Sequence, residues 1–137
     1  MPAAVFVSDV HIVSPESSRG RLFTDFLKSL SHANGVSHLY LLGDIFDLWV
    51  ADHAYFVDRY PDIIEEIQRL RGEGVEVSYF EGNHDLYLKH FWQNELGVTV
   101  HAGPTEVQLG DTRVRLEHGD QMDPEDKGYI FLRWFLR

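Results

Sequence analysis

The chain has 137 residues, of which 12 are Lys or Arg and 22 are Asp or Glu, so its formal net charge is −10 with histidine neutral. This acidity leaves no basic face for a nucleic-acid backbone, and the absence of cysteine excludes disulfides, thiolate metal sites and zinc fingers. The length predicts one domain, and no apolar run approaches the ~20 residues of a membrane span. With no basic leader after Met1, we expect a cytoplasmic protein.

The first part of the chain alternates apolar strands with amphipathic helices. Short apolar runs predict strands at residues 4–8, 38–42 and 75–80. Apolar side chains spaced three or four positions apart predict helices over residues 21–32, closed by Asn34-Gly35, and 61–71, beginning with Pro61. This alternation predicts an α/β fold in which the helices flank a sheet.

The second part of the chain is richer in strands. A short helix is predicted over residues 86–96, followed by strands at 98–101, 105–109 and 113–117. The last two strands are expected to form a hairpin across Gly110-Asp111. Asp123 and Pro124 then begin a predicted helix that runs into the apolar residues 129–136 and has no stop signal.

Four predicted strands are followed by side chains that can bind a metal. They are Asp9 with His11, Asp44, Asn83 with His84, and His118. Each of these alone is explained equally well as a turn residue, because Asp, Asn and Gly are common turn formers. Because strand carboxyl ends share one edge of an α/β sheet, we expect the four endings to meet in one cleft and to bind divalent metals.

The motifs around these residues resemble the signature blocks of the calcineurin-like binuclear metallophosphoesterases. The matching blocks are Ser8-Asp9-Val10-His11, Gly43-Asp44, Gly82-Asn83-His84-Asp85 and His118-Gly119-Asp120. The resemblance spans the whole chain and implies the family's α/β sandwich, here its N-terminal portion with a mixed sheet and flanking helices. Residues 1–137 are therefore expected to be a single metallophosphoesterase domain that ends before the family's C-terminal Gly-His-x-His block.

The resemblance also implies a role for each site residue. Asp9 and His11 would bind one metal, Asn83 and His118 would bind the other, and Asp44 would bridge the two. Without the Gly-His-x-His block, each metal has three protein bonds. Nitrogen and oxygen ligands suit manganese, which we expect here, and also iron, zinc and cobalt.

Two further residues are expected to be catalytic. His84 would lie beside the substrate phosphate as an electrophile or general acid, and Asp85 would orient its ring. A turn residue that caps the next helix is the alternative interpretation of His84. Asp47, Asp52 and Asp120 are near the motifs and could support the ligands, although solvated turn carboxylates are equally expected there.

Within the family, the segment Gly43-Asp44-Ile45-Phe46-Asp47-Leu48-Trp49 and the acidic stretch after His118 are similar to UDP-2,3-diacylglucosamine hydrolases, which make lipid X during lipid A assembly. This similarity implies a nucleotide-linked lipid substrate and a location in the cytoplasm or at the periphery of the inner membrane. Those enzymes often carry Arg where this chain has His84. A phosphomonoesterase or phosphodiesterase acting on another phosphorylated small molecule is therefore the alternative.

A third interpretation is not enzymatic. If the chain is complete as given, it could be a metal-binding pseudoenzyme that docks a partner through residues 129–136, which could equally mediate homo-oligomers or membrane contact. The remaining histidines are expected on the ordinary surface, namely His32, His38, His53, His90 and His101. Core packing is the default expectation for Phe46, Trp49, Tyr55 and Phe56, with a site for an acyl chain or nucleobase as the alternative.

Overall fold

The computed structural model describes residues 3–51 and 54–118. In chain order, the elements are β1 (Ala3–Val7), α1 (Ser18–Ser29), β2 (Val36–Leu41), β3 (Trp49–Val50), α2 (Ala54–Arg59), α3 (Pro61–Gly72), β4 (Glu76–Phe80), β5 (Asp85–Leu86), β6 (Thr99–His101), β7 (Thr105–Leu109) and β8 (Thr112–Leu116). A π-helical turn, Lys89–Gln93, lies between β5 and β6.

The centre of the fold is a four-stranded parallel sheet in the order β1-β2-β4-β6. Alternate side chains of these strands, such as Leu39 and Val77, pack with α1 and α3 in the main hydrophobic core. The hairpin of β7 and β8 belongs to a separate two-stranded sheet, and its Leu116 packs against Tyr40 and Phe80 in a smaller second core. The predicted α/β fold with flanking helices is confirmed.

The strands predicted at residues 4–8, 38–42 and 75–80 are observed as β1, β2 and β4, and these strands and α3 are confirmed to within about two residues of their predicted bounds. Helix α1 begins and ends three residues earlier than predicted. It begins at Ser18 because the side chain of Ser17 accepts a hydrogen bond from the Gly20 backbone N–H, which caps the helix. It ends at Ser29 because Leu30 has an extended backbone, with φ −85° and ψ 141°.

The helix predicted over residues 86–96 was wrong. Asp85–Leu86 instead pairs in parallel with Trp49–Val50, and Tyr87 has a left-handed backbone, φ 57°, that no helix permits. Only the π-helical turn remains, and it buries Phe91 and Trp92. Neither the two-residue ladder of β3 and β5 nor the short helix α2 was predicted.

The hairpin across Gly110-Asp111 is confirmed, with Gly110 at φ 59° in the turn. The helix predicted from Asp123, the apolar residues 129–136, and the candidates Asp52, His53 and Asp120 lie outside the described residues. Within residues 3–51 and 54–118, the helices are too short and too polar for any of them to traverse a lipid bilayer.

Candidate metal centre

Three of the predicted ligands have a left-handed backbone. The φ angles of Asp9, His11 and Asp44 are 56°, 53° and 52°. Such a conformation costs a non-glycine residue on the order of 1 kcal/mol and clusters at functional sites. Two backbone hydrogen bonds hold it here, from the Asp9 N–H to the Gly43 carbonyl (3.1 Å) and from the His11 N–H to the Asp44 carbonyl (3.0 Å). The loops after β1 and β2 are therefore locked to each other.

Asp44 lies at the middle of the cluster and is buried, with 4% of its surface exposed. Its Oδ2 is 3.2 Å from His118 Nε2 and 3.8 Å from His11 Nε2. Its Oδ1 accepts a hydrogen bond from the backbone N–H of His84 at 3.0 Å. Asp9 closes the cluster, with its Oδ1 3.7 Å from His11 Nε2.

The side chains form two groups that could each hold a metal ion. One contains His11, Asp44 and His84, the other contains Asp9, Asp44 and His118, and within each group the ligating atoms lie within 4.8 Å of one another. Asn83 extends the second group, because its Oδ1 is 3.3 Å from His118 Nε2. Carboxylate oxygens and imidazole nitrogens at this spacing fit first-row divalent cations, and the two groups share Asp44.

The expected division of the ligands between two metals remains a prediction. Asp9 Oδ1 lies 3.7 Å from His11 Nε2, its expected partner, although the two groups place Asp9 with His118 and the ring of His84 with His11. Asn83 and His118 remain neighbours, as expected. The other four predicted ligands lie around Asp44, and the role of all five as metal ligands remains a prediction.

His118 reaches the cluster by a route that the sequence did not predict. It follows β8, which belongs to the hairpin rather than to the parallel sheet, so the expectation of four strand ends at one sheet edge was wrong for this residue. Its Nδ1 donates a hydrogen bond to the Leu42 carbonyl at 2.8 Å. This bond orients the ring so that Nε2 points toward Asp44. A Cβ on Gly43 would lie 2.6 Å from the same Nδ1, so only glycine allows this approach.

The structure corrects the expected role of Asp85. This residue is fully buried, and its carboxylate oxygens accept hydrogen bonds from the backbone N–H groups of Asp44, Ile45 and Gly82 and from the Tyr79 hydroxyl. Burial raises its pKa against the opposing effect of these hydrogen bonds. Asp85 therefore organises backbone beneath the cluster rather than orienting the His84 ring.

The residue that orients His84 is Asp47. The Nδ1 of His84 donates a hydrogen bond to the Asp47 backbone carbonyl at 2.8 Å. The Asp47 carboxylate also faces the cluster, with its Oδ1 3.8 Å from His11 Nδ1 and 4.0 Å from His84 Nδ1. The sequence did not decide between a supporting role and a solvated turn for Asp47, because no sequence pattern shows that residue 47 contacts residue 84.

Asp44 and His118 form an ion pair. Burial alone would raise the pKa of Asp44, but hydrogen bonds from the His118 ring and the His84 N–H lower it below its ordinary value. The hydrogen bond to Asp44 raises the pKa of His118 to about 9, against the effect of burial. At neutral pH the metal-free protein therefore holds a proton on His118 that a metal ion must displace.

Curated proteins provide relatives over almost the whole chain. The UDP-2,3-diacylglucosamine hydrolase of Pseudomonas savastanoi pv. phaseolicola is 32% identical over 133 residues, covering 97% of this chain and 52% of the relative. The enzyme of the same name from Cellvibrio japonicus is 32% identical over 134 residues, covering 97% and 54%. The narrower of the two resemblances, to UDP-2,3-diacylglucosamine hydrolases, is confirmed. The chain spans about half the length of these curated relatives.

Solved structures support the fold. A protein of unknown function from Aquifex aeolicus superposes with a TM-score of 0.54 at 20% identity, covering 98% of this chain and 69% of that chain. No family model matches the chain.

The ion pair predicts how the stability of the metal-free protein depends on pH. Because the pKa of His118 is higher in the folded chain than its ordinary 6.5, the pair stabilises the fold fully below pH 6.5, as long as Asp44 stays ionised, and loses this effect as pH rises to about 9. At about pH 6 in EDTA, we expect the melting temperature of the wild type to be higher than that of a His118→Gln variant. This gap in melting temperature should shrink at about pH 10. Thermal unfolding followed by circular dichroism measures it, and a gap independent of pH would contradict the pairing.

The aromatic residues near the second motif divide between core and surface. Phe46 and Trp49 are fully buried in an aromatic cluster, so the core interpretation is confirmed for both. Phe56 packs partly buried against that core, and Tyr55 is 60% exposed. Away from the cluster, His38 Nε2 lies 2.9 Å from Glu76 Oε2 on the sheet surface.

Proposed function

We propose that the chain carries the metal-binding part of a calcineurin-like hydrolase that cleaves phosphoester or pyrophosphate bonds, with UDP-2,3-diacylglucosamine as its substrate. The observation that carries this proposal is the pair of candidate ligand groups that share the buried carboxylate of Asp44. The names of the curated relatives support the substrate. We further propose manganese as the metal, and a location in the cytoplasm or at the periphery of the inner membrane.

Two divalent ions at such a site would polarise the phosphate and lower the pKa of a bound water. Asp9 and Asp44 supply only two negative charges among the proposed ligands, because histidine ligands are neutral and Asn83 is uncharged. The loaded site would therefore keep a positive excess that attracts phosphate. The hydrogen-bonded left-handed backbones of Asp9, His11 and Asp44 would hold these three ligands in place before substrate arrives.

His84 has the position expected of a group that touches the substrate. Its side chain is 42% exposed at the edge of the cluster. Because its Nδ1–H donates to the Asp47 carbonyl, Nε2 is the ring atom left for the substrate, and it would donate a hydrogen bond to a phosphate oxygen when the ring carries its second proton. We propose that His84 acts there as the general acid or electrophile.

We propose that a cavity formed by the segments around Tyr87 and His101 receives the organic part of the substrate. Its volume is about 650 Å³, within the range of ligand pockets, and its lining includes Tyr87, Lys89 and His101. A narrow cleft that shares His101 with the cavity extends to His118. The cavity therefore shares a wall with a cleft beside one proposed ligand, and its own lining holds none of the proposed ligands.

We also propose that residues 1–137 form part of a single metallophosphoesterase domain whose ligands are completed by a Gly-His-x-His block. The relatives, about twice as long as the matched region, support this proposal. The pseudoenzyme alternative depends on residues 129–136, which lie outside the described part of the chain.

The decisive experiment measures metal content and hydrolysis together. We expect the 137-residue chain to bind two Mn²⁺ ions but to hydrolyse weakly, because a misplaced nucleophile can cost about 10²-fold in rate. The whole reading frame containing this chain should cleave UDP-2,3-diacylglucosamine with Mn²⁺ and lose activity in EDTA. If the whole reading frame cleaves only a generic phosphodiester, the result would favour a phosphoesterase that acts on another substrate. If it binds metal but hydrolyses nothing, the result would favour the pseudoenzyme interpretation.

A further inference from the structure

A buried pair of side chains, Tyr79 and Asp85, lies beneath the loop that carries Asp44 and the loop that carries Asn83 and His84. Both residues are 0% exposed. Asp85 Oδ1 accepts hydrogen bonds from the N–H groups of Asp44 and Gly82, each at 2.9 Å. Asp85 Oδ2 accepts one from the Ile45 N–H at 2.9 Å and one from the Tyr79 hydroxyl. Four donors therefore use the full hydrogen-bonding capacity of this carboxylate.

These hydrogen bonds join segments that are distant in sequence. Asp44 precedes Asp85 by 41 residues, and it is the residue that both candidate ligand groups share. The bond to its N–H helps to hold its left-handed backbone, φ 52°. The bond to Gly82 anchors the loop of Asn83 and His84, and the His84 N–H returns to Asp44 Oδ1 at 3.0 Å. The result is a closed ring of hydrogen bonds between the two loops.

We infer that Tyr79 and Asp85 are positioning residues for the metal centre, which fix the distance between the Asp44 loop and the loop of Asn83 and His84. This inference rests on the proposed function, since it assumes that these loops bind metal. Neither residue touches the metal or the substrate in this role. Both act through the backbone that presents the ligands.

The position of Tyr79 allows it to fix the orientation of the Asp85 carboxylate. It lies on β4, paired in register with Leu41 of β2, and its ring makes an edge-on contact with Trp92 at 4.9 Å between centroids. The ring is therefore packed on a rigid strand, and its hydroxyl donates to Asp85 Oδ2. Tyr79→Phe removes only the hydroxyl, so Oδ2 loses one of its two donors inside a dry environment.

Asp85→Asn is the stronger perturbation. An amide NH₂ in place of either carboxylate oxygen would face two N–H or O–H donors, because each oxygen accepts two hydrogen bonds. The hydroxyl of Tyr79 can rotate to accept, whereas the backbone N–H groups of Asp44, Ile45 and Gly82 cannot. At least one loop must therefore move away from Asp85.

The test is a titration of Mn²⁺ into metal-free protein, followed by calorimetry or by the electron spin resonance of free Mn²⁺. We expect Tyr79→Phe to weaken metal binding about 10-fold and Asp85→Asn by about 10- to 100-fold, the range for groups that support metal ligands. The matched control is Tyr40→Phe. Tyr40 is also buried, lies on the neighbouring strand β2 and packs in the second core under the hairpin. The Tyr40→Phe variant should bind Mn²⁺ with the same affinity as the wild type.

Each outcome has a defined meaning. Variants that melt at a lower temperature but bind Mn²⁺ as the wild type does would show a purely structural role and overturn the inference. An equal loss of affinity in Tyr40→Phe would overturn it as well. If Asp85→Asn fails to fold, Tyr79→Phe decides alone. Absence of metal from the unchanged chain would instead refute the proposed function, and this inference with it.

Discussion

Replacing Asp44 with alanine should abolish metal binding at both proposed sites. Asp44 is the one residue common to the two candidate ligand groups, and its Oδ2 faces both His11 and His118. Its removal leaves each group with two side chains and takes the central negative charge away from two divalent ions. Metal content of the purified variant, measured after dialysis against Mn²⁺, should fall from two ions per chain to none.

The comparison with His118→Ala makes this prediction specific. His118 belongs to only one group, so its loss should weaken one site and leave the other occupied. Asp62→Ala is the matched control, because Asp62 is an exposed carboxylate in the first turn of α3, and it should keep both ions. Equal loss of both ions from His118→Ala would contradict the shared role of Asp44, unless the two sites fill cooperatively.

The parts of the fold that the sequence predicted are those with a local signal. The strand at residues 75–80 and helix α3 show their apolar spacing within a few residues, and both were found. The ladder of β3 and β5 has no such signal. It pairs Trp49 with Asp85 over only two residues per strand, so the pairing depends on tertiary packing that no window of sequence contains.

The candidate site divides in the same way. The residue types at the strand ends predicted that oxygen and nitrogen ligands would meet, and the structure brings them together around Asp44. The motif could not show which side chain touches which. Asp85 and Asp47 stand two or three residues from a ligand, yet one bonds backbone beneath the loops and the other orients His84. Such contacts depend on how two loops that are distant in sequence pack together. Here the two loops approach each other closely at Gly82, which lies against Asp44 and Asp85.

Gly82→Ala is the second change from which we expect a large effect. A Cβ at Gly82 would lie 2.6 Å from the Asp44 backbone nitrogen and 2.8 Å from Asp85 Oδ1, and it would also collide with Asp44 Oδ1. These atoms cannot yield separately, because Asp85 holds both Asp44 and Gly82 by hydrogen bonds. Overpacking of this kind costs about 1–3 kcal/mol of unfolding free energy. The displaced Asp44 should also weaken both metal sites.

Gly72→Ala is the matched control, since it adds the same methyl group to a glycine of α3 that has nothing within 4 Å of the added atom. In a helix this substitution should be neutral or stabilise by up to about 1 kcal/mol, and it should leave metal binding unchanged. Urea unfolding in EDTA gives the stability of both variants, and Mn²⁺ titration gives their metal affinity. A Gly82→Ala protein as stable as the Gly72→Ala protein, with two tightly bound ions, would show that the loops can separate without loss. In that case the close contact of Gly82 with Asp44 and Asp85 would not be what sets the geometry of the site.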